Sequence, residues 1–244
     1  MKPYYEADGI TIYHGDCLDV IGRLTLDGVA AVVTDPPYAS GARNEAQKTA
    51  SGAMLRGSGW DDKPIVNDQM TTGGFVWLMR HTALALYPAM IPGASWLSFI
   101  DWRQWPNLAG ALETCNLRIQ QLVVWDKGSP GMGNGFRSQH ELVVHASKGV
   151  PNVHSPKYGN VFSAGRQRPI DHPSPKPEGL MMKLLEVVSA PGDLVVDPFM
   201  GAGTTLRAAK DLGRCAIGIE AEERYCEIAA KRLGQMVLDV ESAA

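Results

Sequence analysis

Asp35, Pro36, Pro37 and Tyr38 stand directly behind the apolar run Val29 to Thr34. Proline has no N–H to donate and disfavours helix in the residue before it. The pair therefore ends strand pairing, forbids an immediate helix and leaves a stiff exit from a buried strand. A stiff turn with free carbonyls, a carboxylate and an aromatic face suits a flat molecule that carries an exocyclic amine. That chemistry points to a nucleobase.

A second segment, Asp197-Pro198-Phe199-Met200-Gly201-Ala202-Gly203-Thr204, lies between an apolar run and a helical pattern, where a nucleotide-like ligand approaches the backbone of a Rossmann-type sheet. It lacks the third glycine of the dinucleotide fingerprint, and no Gly-Lys-Ser/Thr follows to make a P-loop. A phosphate cradle is disfavoured. Seventeen residues beyond Gly203 the next apolar run ends in Glu220, placed to accept hydrogen bonds from two ribose hydroxyls. Ribose without phosphate points to S-adenosylmethionine; a structural βα turn with a surface glutamate is the alternative.

The elements that must position these residues follow from periodicity. Ile10 to Tyr13 alternates like a short strand, Leu18 to Leu26 suggests a brief helix, and Val29 to Thr34 reads as a fully buried strand. Residues 39–72 are polar and turn-rich, and their place after the tetrapeptide predicts a lid. Phe75 to Met90 is helical in period, with Pro92-Gly93 as its stop. Ser95 to Ile100 reads as a strand, Gln104 to Cys115 as a helix, and Ile119 to Trp125 and Glu141 to His145 as two strands joined without a helix. The last two form a hairpin, expected at one edge of an otherwise parallel sheet. Residues 149–177 look irregular. From Glu178 helix and strand alternate: a helix to Val188, the strand Leu194 to Asp197, the helix Thr204 to Leu212, the strand Ala216 to Ile219, and a helix from Glu222 to about Leu238. This predicts an α/β, mostly parallel, doubly wound Rossmann-like sheet forming a single domain over 1–244, with its ligand at the carboxyl ends of the strands.

Composition bounds the alternatives. The 244 residues carry a net charge of −3, but residues 127–183 hold 8 basic and 3 acidic side chains, a local excess of +5 that would form a phosphate-attracting face. A solvated loop region with surplus lysines accounts for the same numbers. No apolar stretch approaches the roughly 20 residues that span a bilayer, and the opening Met1 to Glu6 lacks the apolar core of a signal peptide, so the cytoplasm is expected. Cys17, Cys115, Cys215 and Cys226 form no Cys-x-x-Cys pair and are expected as buried thiols. His140 and His145 flank Glu141 five apart, not at the i, i+4 spacing of a metalloprotease helix, so no metal is expected.

Together these motifs resemble the amino-methylating DNA methyltransferases, which modify adenine at N6 or cytosine at N4. The resemblance covers almost the whole chain. The tetrapeptide comes first and the glycine loop about 160 residues later, the order of the family's β group. That order is a circular permutation: Ile10 to Tyr13 would complete, across the chain break, the unit that normally continues from Glu220, which surface termini tolerate. The resemblance implies that Asp35, Pro36, Pro37 and Tyr38 are catalytic. It implies that Asp197, Phe199, Gly201, Gly203, Thr204, Thr205 and Glu220, with Asp35 close by, hold S-adenosylmethionine. Asp16 and Cys17 would read the cofactor's adenine, although Asp16 alone is also a plain helix cap. His172 to Pro177 is similar to the family's His-Pro-Thr-Gln-Lys-Pro segment. Lys176 would reach the methionine moiety, and Ser174 keeps the hydroxyl while Pro175 loses the amide; a solvated lysine is the other reading.

The partner expected on this basis is DNA, with the target base flipped out of the duplex and stacked on Tyr38. Arg43, Lys48, Arg56, Trp60 and Lys63 in the lid would close over that base. Lys127, Arg137, Lys157, Arg166 and Arg168, in a recognition region spanning 127–175, would contact phosphates and grooves of a short target site. Asp in the first tetrapeptide position tilts the choice to adenine over cytosine. RNA or protein amines are more distant substrates, and an inactive DNA-binding homologue is the contrasting class. The resemblance also suggests a homodimer.

Overall fold

A computed structural model describes residues 1–38, 70–131, 135–165 and 176–234. Arg43, Lys48, Arg56, Trp60 and Lys63, and with them most of the expected lid, lie outside the described residues, as do Arg166, Arg168 and Ser174. In chain order the strands are β1 (Tyr5–Ala7), β2 (Ile10–His14), β3 (Val29–Thr34), β4 (Met90–Ile100), β5 (Arg118–Asp126), β6 (His140–Ser147), β7 (Val161–Ser163), β8 (Leu194–Asp197) and β9 (Cys215–Glu220). The helices are α1 (Cys17–Ile21), α2 (Thr72–Leu86), α3 (Trp105–Glu113), α4 (Glu178–Val188), α5 (Thr204–Asp211) and α6 (Glu223–Gly234).

The strands form one sheet in the order β1-β2-β9-β8-β3-β4-β6-β5-β7. Its centre, β2-β9-β8-β3-β4, is parallel throughout. Central strands buried on both faces need apolar residues at every position, and β3 supplies them: all six of its residues, including Thr34, are buried. One face packs on α1, α2 and α3 through Val20, Phe75, Met79, Trp96 and Leu108; the other packs on α4, α5 and α6 through Leu184, Leu185, Leu206, Ala229 and Val33. This is the doubly wound arrangement expected. The pairing of Ile10 with Ala216 through His14 with Glu220 closes the sheet across the chain break, as the permuted order requires.

Several local expectations are corrected. Pro92 and Gly93 do not end a helix. The helix gives way at Leu86 to a 3-10 turn, Tyr87–Ala89, and β4 starts at Met90. Three residues of β3, Val29 to Ala31, face six of β4, Met90 to Ser95, so Pro92 and Gly93 sit in a bulge. Gly93 takes φ +83°, and the Asn152 side chain fills the place of a Cβ. The end of the predicted lid, Met70 to Thr72, instead begins α2, where the Thr71 hydroxyl caps Gly74 N–H at 3.1 Å.

The β5–β6 hairpin is not the edge of the sheet. Val161–Ser163, from the stretch read as irregular, pairs parallel to β5 outside it, and β1 pairs antiparallel to β2 at the opposite edge. The β1–β2 turn is Asp8-Gly9 with both φ positive, at 51° and 76°, which suits a two-residue hairpin. Three of the four cysteines are buried, but Cys215 is exposed on its strand.

Candidate active site

β3 and β8 run side by side with Val32 against Val196, β9 lies beyond β8 with Gly218 against Asp197, and β2 beyond β9 with His14 against Glu220. Asp35, Asp197, Glu220 and Asp16 therefore leave four neighbouring strands at one edge. From β8 the chain winds outward to β9, and from β3 outward the other way to β4. Reversal between adjacent parallel strands opens a crevice at their carboxyl ends, here between Asp197 and Asp35.

Asp35 has both carboxylate oxygens engaged. The Tyr38 hydroxyl donates to Oδ1, and the Lys176 ammonium lies 2.5 Å from Oδ2. Lys176 comes from the residues just before α4 and is 6% exposed, against 29% for the Asp35 side chain. The same ammonium lies 3.3 Å from Glu141 Oε2 on β6, whose Oε1 is 2.5 Å from Lys127 Nζ. It also faces the rings of Phe99 and Tyr38 at 5.2 and 5.6 Å. Burial alone would drive the Lys176 pKa down, but Asp35 and Glu141 overcome it and hold the ammonium above the usual lysine range. Burial opposes ionisation of Glu141 too, and Lys176 and Lys127 reverse this, leaving its carboxyl below the usual range. Tyr38 is pushed well up by burial and by the Asp35 and Glu141 carboxylates, so its hydroxyl keeps its proton.

On the other side of the crevice Glu220 accepts from Gly201 N–H at 3.0 Å and from Glu222 N–H at 2.8 Å, and burial raises its pKa. Gly203 holds φ +77°, and a Cβ there would stand 2.8 Å from that of Ala229. The glycine thus lets the loop turn tightly over α6. Asp16 Oδ1 caps α1, accepting from Leu18 N–H at 2.9 Å and Asp19 N–H at 3.4 Å, which engages one of its two oxygens. The Cys17 thiol points into the core 3.7 Å from Thr82 Oγ1 and is raised to about 11, chiefly by burial, so only its backbone remains for a ligand. Phe199 is half-buried, while Thr204 and Thr205 are buried in the first turn of α5.

Asp197 is 2% exposed and accepts from Thr34 Oγ1 at 2.7 Å and Phe199 N–H at 3.1 Å. Burial raises its pKa from 3.8 to about 6, against the hydroxyls of Thr205 and Thr34. A native pKa above the unfolded one contributes stability that is fully present below pH 3.8 and lost as pH rises through about 6. Asp197→Asn keeps an acceptor for Thr34 and Phe199 and removes the buried charge. Relative to wild type, it is expected to gain on the order of 2 kcal/mol at neutral pH and little under acid conditions. Urea denaturation at both pH values measures the difference, and a variant less stable at neutral pH contradicts it.

Glu141 and Lys127 were not found as partners by sequence reading, which weighed Glu141 only as a metal ligand; its signal is an acid in an otherwise apolar, β-branched strand. Within the described part of the basic middle segment, three lysines have partners in the protein. Lys127 is paired with Glu141, Lys157 is 2.9 Å from Glu186, and Lys148 is spent on the carbonyls of Tyr87 and Met90 at 2.9 and 2.7 Å. Arg137 is exposed on the loop between β5 and β6. Among the described residues, no group of three or more His, Cys, Asp or Glu could hold a metal, and no helix is long and apolar enough to cross a membrane.

A family profile described as DNA methylase, for N6 and N4 methyltransferases, matches residues 29–231, from the strand before the tetrapeptide to the last helix. The chain belongs to this family. Among curated relatives, the type II methyltransferase M.HinfI of Haemophilus influenzae is 27% identical over 93% of this chain and 68% of its own. The type II methyltransferase M2.LlaDCHI of Lactococcus lactis subsp. cremoris is 27% identical over 96% and 93%. The crystal structure of the M1.HpyAVI–SAM complex superposes on this methyltransferase with a TM-score of 0.67 at 26% identity, over 92% of this chain and 100% of that one. The PvuII cytosine-N4-specific DNA methyltransferase reaches a TM-score of 0.75 at 16% identity, over 97% and 90%, a likeness of fold.

Proposed function

We propose that this DNA methyltransferase transfers a methyl group from S-adenosylmethionine to the N6 amino group of adenine in a base flipped out of duplex DNA. The observation that carries the reading is the crevice between Asp197 and Asp35. A glycine loop with a ribose-accepting Glu220 lines one wall, and a carboxylate beside an aromatic stands on the other. The donor fits the residues present. Gly203 leaves no room for a side chain, Glu220 offers two acceptor oxygens, and no lysine of a P-loop is there for a phosphate. When bound, S-adenosylmethionine supplies a sulfonium methyl, and its presence in the M1.HpyAVI–SAM complex supports the assignment.

The chain's own residues then do the following. The adenine amine is a poor nucleophile because its lone pair is delocalised into the ring. The Asp35 carboxylate and the Pro36 carbonyl each accept one N–H, which draws the nitrogen toward a tetrahedral geometry and frees its lone pair for in-line attack. Asp35 stabilises the cationic amine as it develops and takes its proton. Tyr38 gives the base a stacking face, which offsets part of the few kcal/mol that flipping costs. Asp16 and the Cys17 backbone hold the cofactor's adenine, and Arg137 contacts a phosphate.

Asp35 favours adenine over cytosine N4 as the acceptor. Amplified genomic DNA containing N6-methyladenine throughout is expected to accept no label from S-adenosylmethionine, while DNA containing N4-methylcytosine throughout accepts it as well as unmodified DNA does. The reverse pattern would assign the enzyme to cytosine.

A further inference from the structure

We propose that Glu141 is a positioning residue that takes the Lys176 ammonium away from Asp35 when the target amine arrives, so that Asp35 is capped at rest and free during methyl transfer. The inference rests on the methyl-transfer reading above and adds a residue and an event to it.

The difficulty it resolves is one of charge. Both Asp35 oxygens carry a contact, Oδ1 from Tyr38 and Oδ2 from the Lys176 ammonium, so an amine reaching the remaining lone pairs meets a carboxylate already neutralised by a cation and poorly able to take its proton. The Tyr38 hydroxyl comes from the same turn as Asp35 and retains its proton, so it stays. Lys176 is the group that must yield. It is 6% exposed, and an ammonium cannot be left in an apolar setting without a counter-charge. Glu141 Oε2 stands 3.3 Å from Nζ, and this buried oxygen makes no well-aligned hydrogen bond. A shift of Nζ by less than the width of an atom would turn the long contact into a full one and release Oδ2. Lys127, stacked 5.0 Å from the Trp125 ring, holds Glu141 through its other oxygen and keeps it ionised. The four side chains sum to zero charge, two ammoniums against two carboxylates, so the shift moves no net charge into the site. It also places the cation farther from the amine as positive charge develops there, which lowers the barrier.

Glu141→Gln removes the second counter-charge without changing the shape of the side chain, and leaves a single amide oxygen for two lysines. Lys176 would stay locked on Asp35, and kcat is expected to fall at least about tenfold. KM for S-adenosylmethionine and the melting temperature should change little. The groups that face Lys176 are Asp35 and Tyr38 from the end of β3 and Glu141 from β6, with Lys127, Asp101 and Asp197 one step farther out. With one of the two neighbouring carboxylates gone, burial lowers the Lys176 pKa. The variant should therefore regain activity at alkaline pH as the ammonium loses its proton, a limb that the wild type lacks over the same range. Glu141→Asp, whose shortened carboxylate reaches less far but keeps its charge, should lose about threefold in kcat with no such limb and an unchanged KM for S-adenosylmethionine, and it carries the test if Glu141→Gln does not fold. A pH-independent loss in Glu141→Gln, or no loss of kcat in the variant tested, overturns the proposal. If the wild type itself methylates no DNA, it is the methyl-transfer reading that fails.

Discussion

Asp35→Ala is expected to lower kcat for methyl transfer by at least about a thousandfold, because one side chain orients the amine, stabilises the cation and receives the proton. Folding should survive. Asp35 is the most exposed member of its ion pair, at 29%, and its removal leaves the Lys176 ammonium with Glu141 3.3 Å away as counter-charge. A melting temperature within a few degrees of wild type and unchanged affinity for S-adenosylmethionine are the accompanying results. Initial rates with labelled donor and unmethylated genomic DNA, read beside thermal unfolding, separate chemistry from stability. A folded variant with near-wild-type rate removes Asp35 from the mechanism. An unfolded one would show that the carboxylate is needed to hold Lys176.

The largest effect on stability is expected for Gly203→Val. At φ +77° a β-branched residue meets its own backbone, at about 1–2 kcal/mol, and its Cβ would sit 2.8 Å from the Cβ of Ala229, where relief requires α6 to move, at about 1–3 kcal/mol more. Several kcal/mol is a large share of the roughly 5–15 kcal/mol that holds a domain together. Gly203 also precedes Thr204 in the loop proposed to bind the donor, and Gly201 N–H in that loop bonds Glu220. Any variant that does fold should bind S-adenosylmethionine at least about tenfold more weakly. Urea denaturation and titration calorimetry measure the two effects. Unchanged midpoint and affinity would mean that the loop is not packed as described.

Much of the fold was legible because the central strands are unambiguous. A run such as Val29 to Thr34, bounded by Gly28 and the prolines, has one stable location, and the alternation after Glu178 fixes a parallel sheet. Errors arose where a local signal has two meanings. Pro92-Gly93 reads as a helix stop from sequence, and only the pairing of Met90 with Val29 shows it to be a bulge within a strand. Val161–Ser163 is too short to announce itself, and it is a strand because β5 offers an edge to it. The β1–β2 hairpin went unread, because the three residues of β1 carry no periodicity.

The site divides in the same way. Asp35, Tyr38, Asp197, Gly203 and Glu220 announce themselves because each stands at the end of a buried strand or in a glycine loop, and the winding brings them to one edge. Lys176 was expected at the donor, and its position against Asp35 depends on where α4 starts, which no local pattern encodes. Glu141 is tied to Asp35 only through that lysine, across more than a hundred residues of sequence. Within the basic excess of 127–183, composition does not tell a solvated charge from one paired with Glu141, Glu186 or a carbonyl, as Lys127, Lys157 and Lys148 are.

The decisive property of this enzyme is where the methyl group goes. Purified enzyme incubated with S-adenosylmethionine bearing a deuterated methyl group and unmethylated genomic DNA, followed by digestion to nucleosides and mass spectrometry, reads this directly. The expected product is labelled N6-methyladenine. Label on a ring carbon, or no labelled nucleoside with a protein that binds the donor, would contradict amine methylation at Asp35.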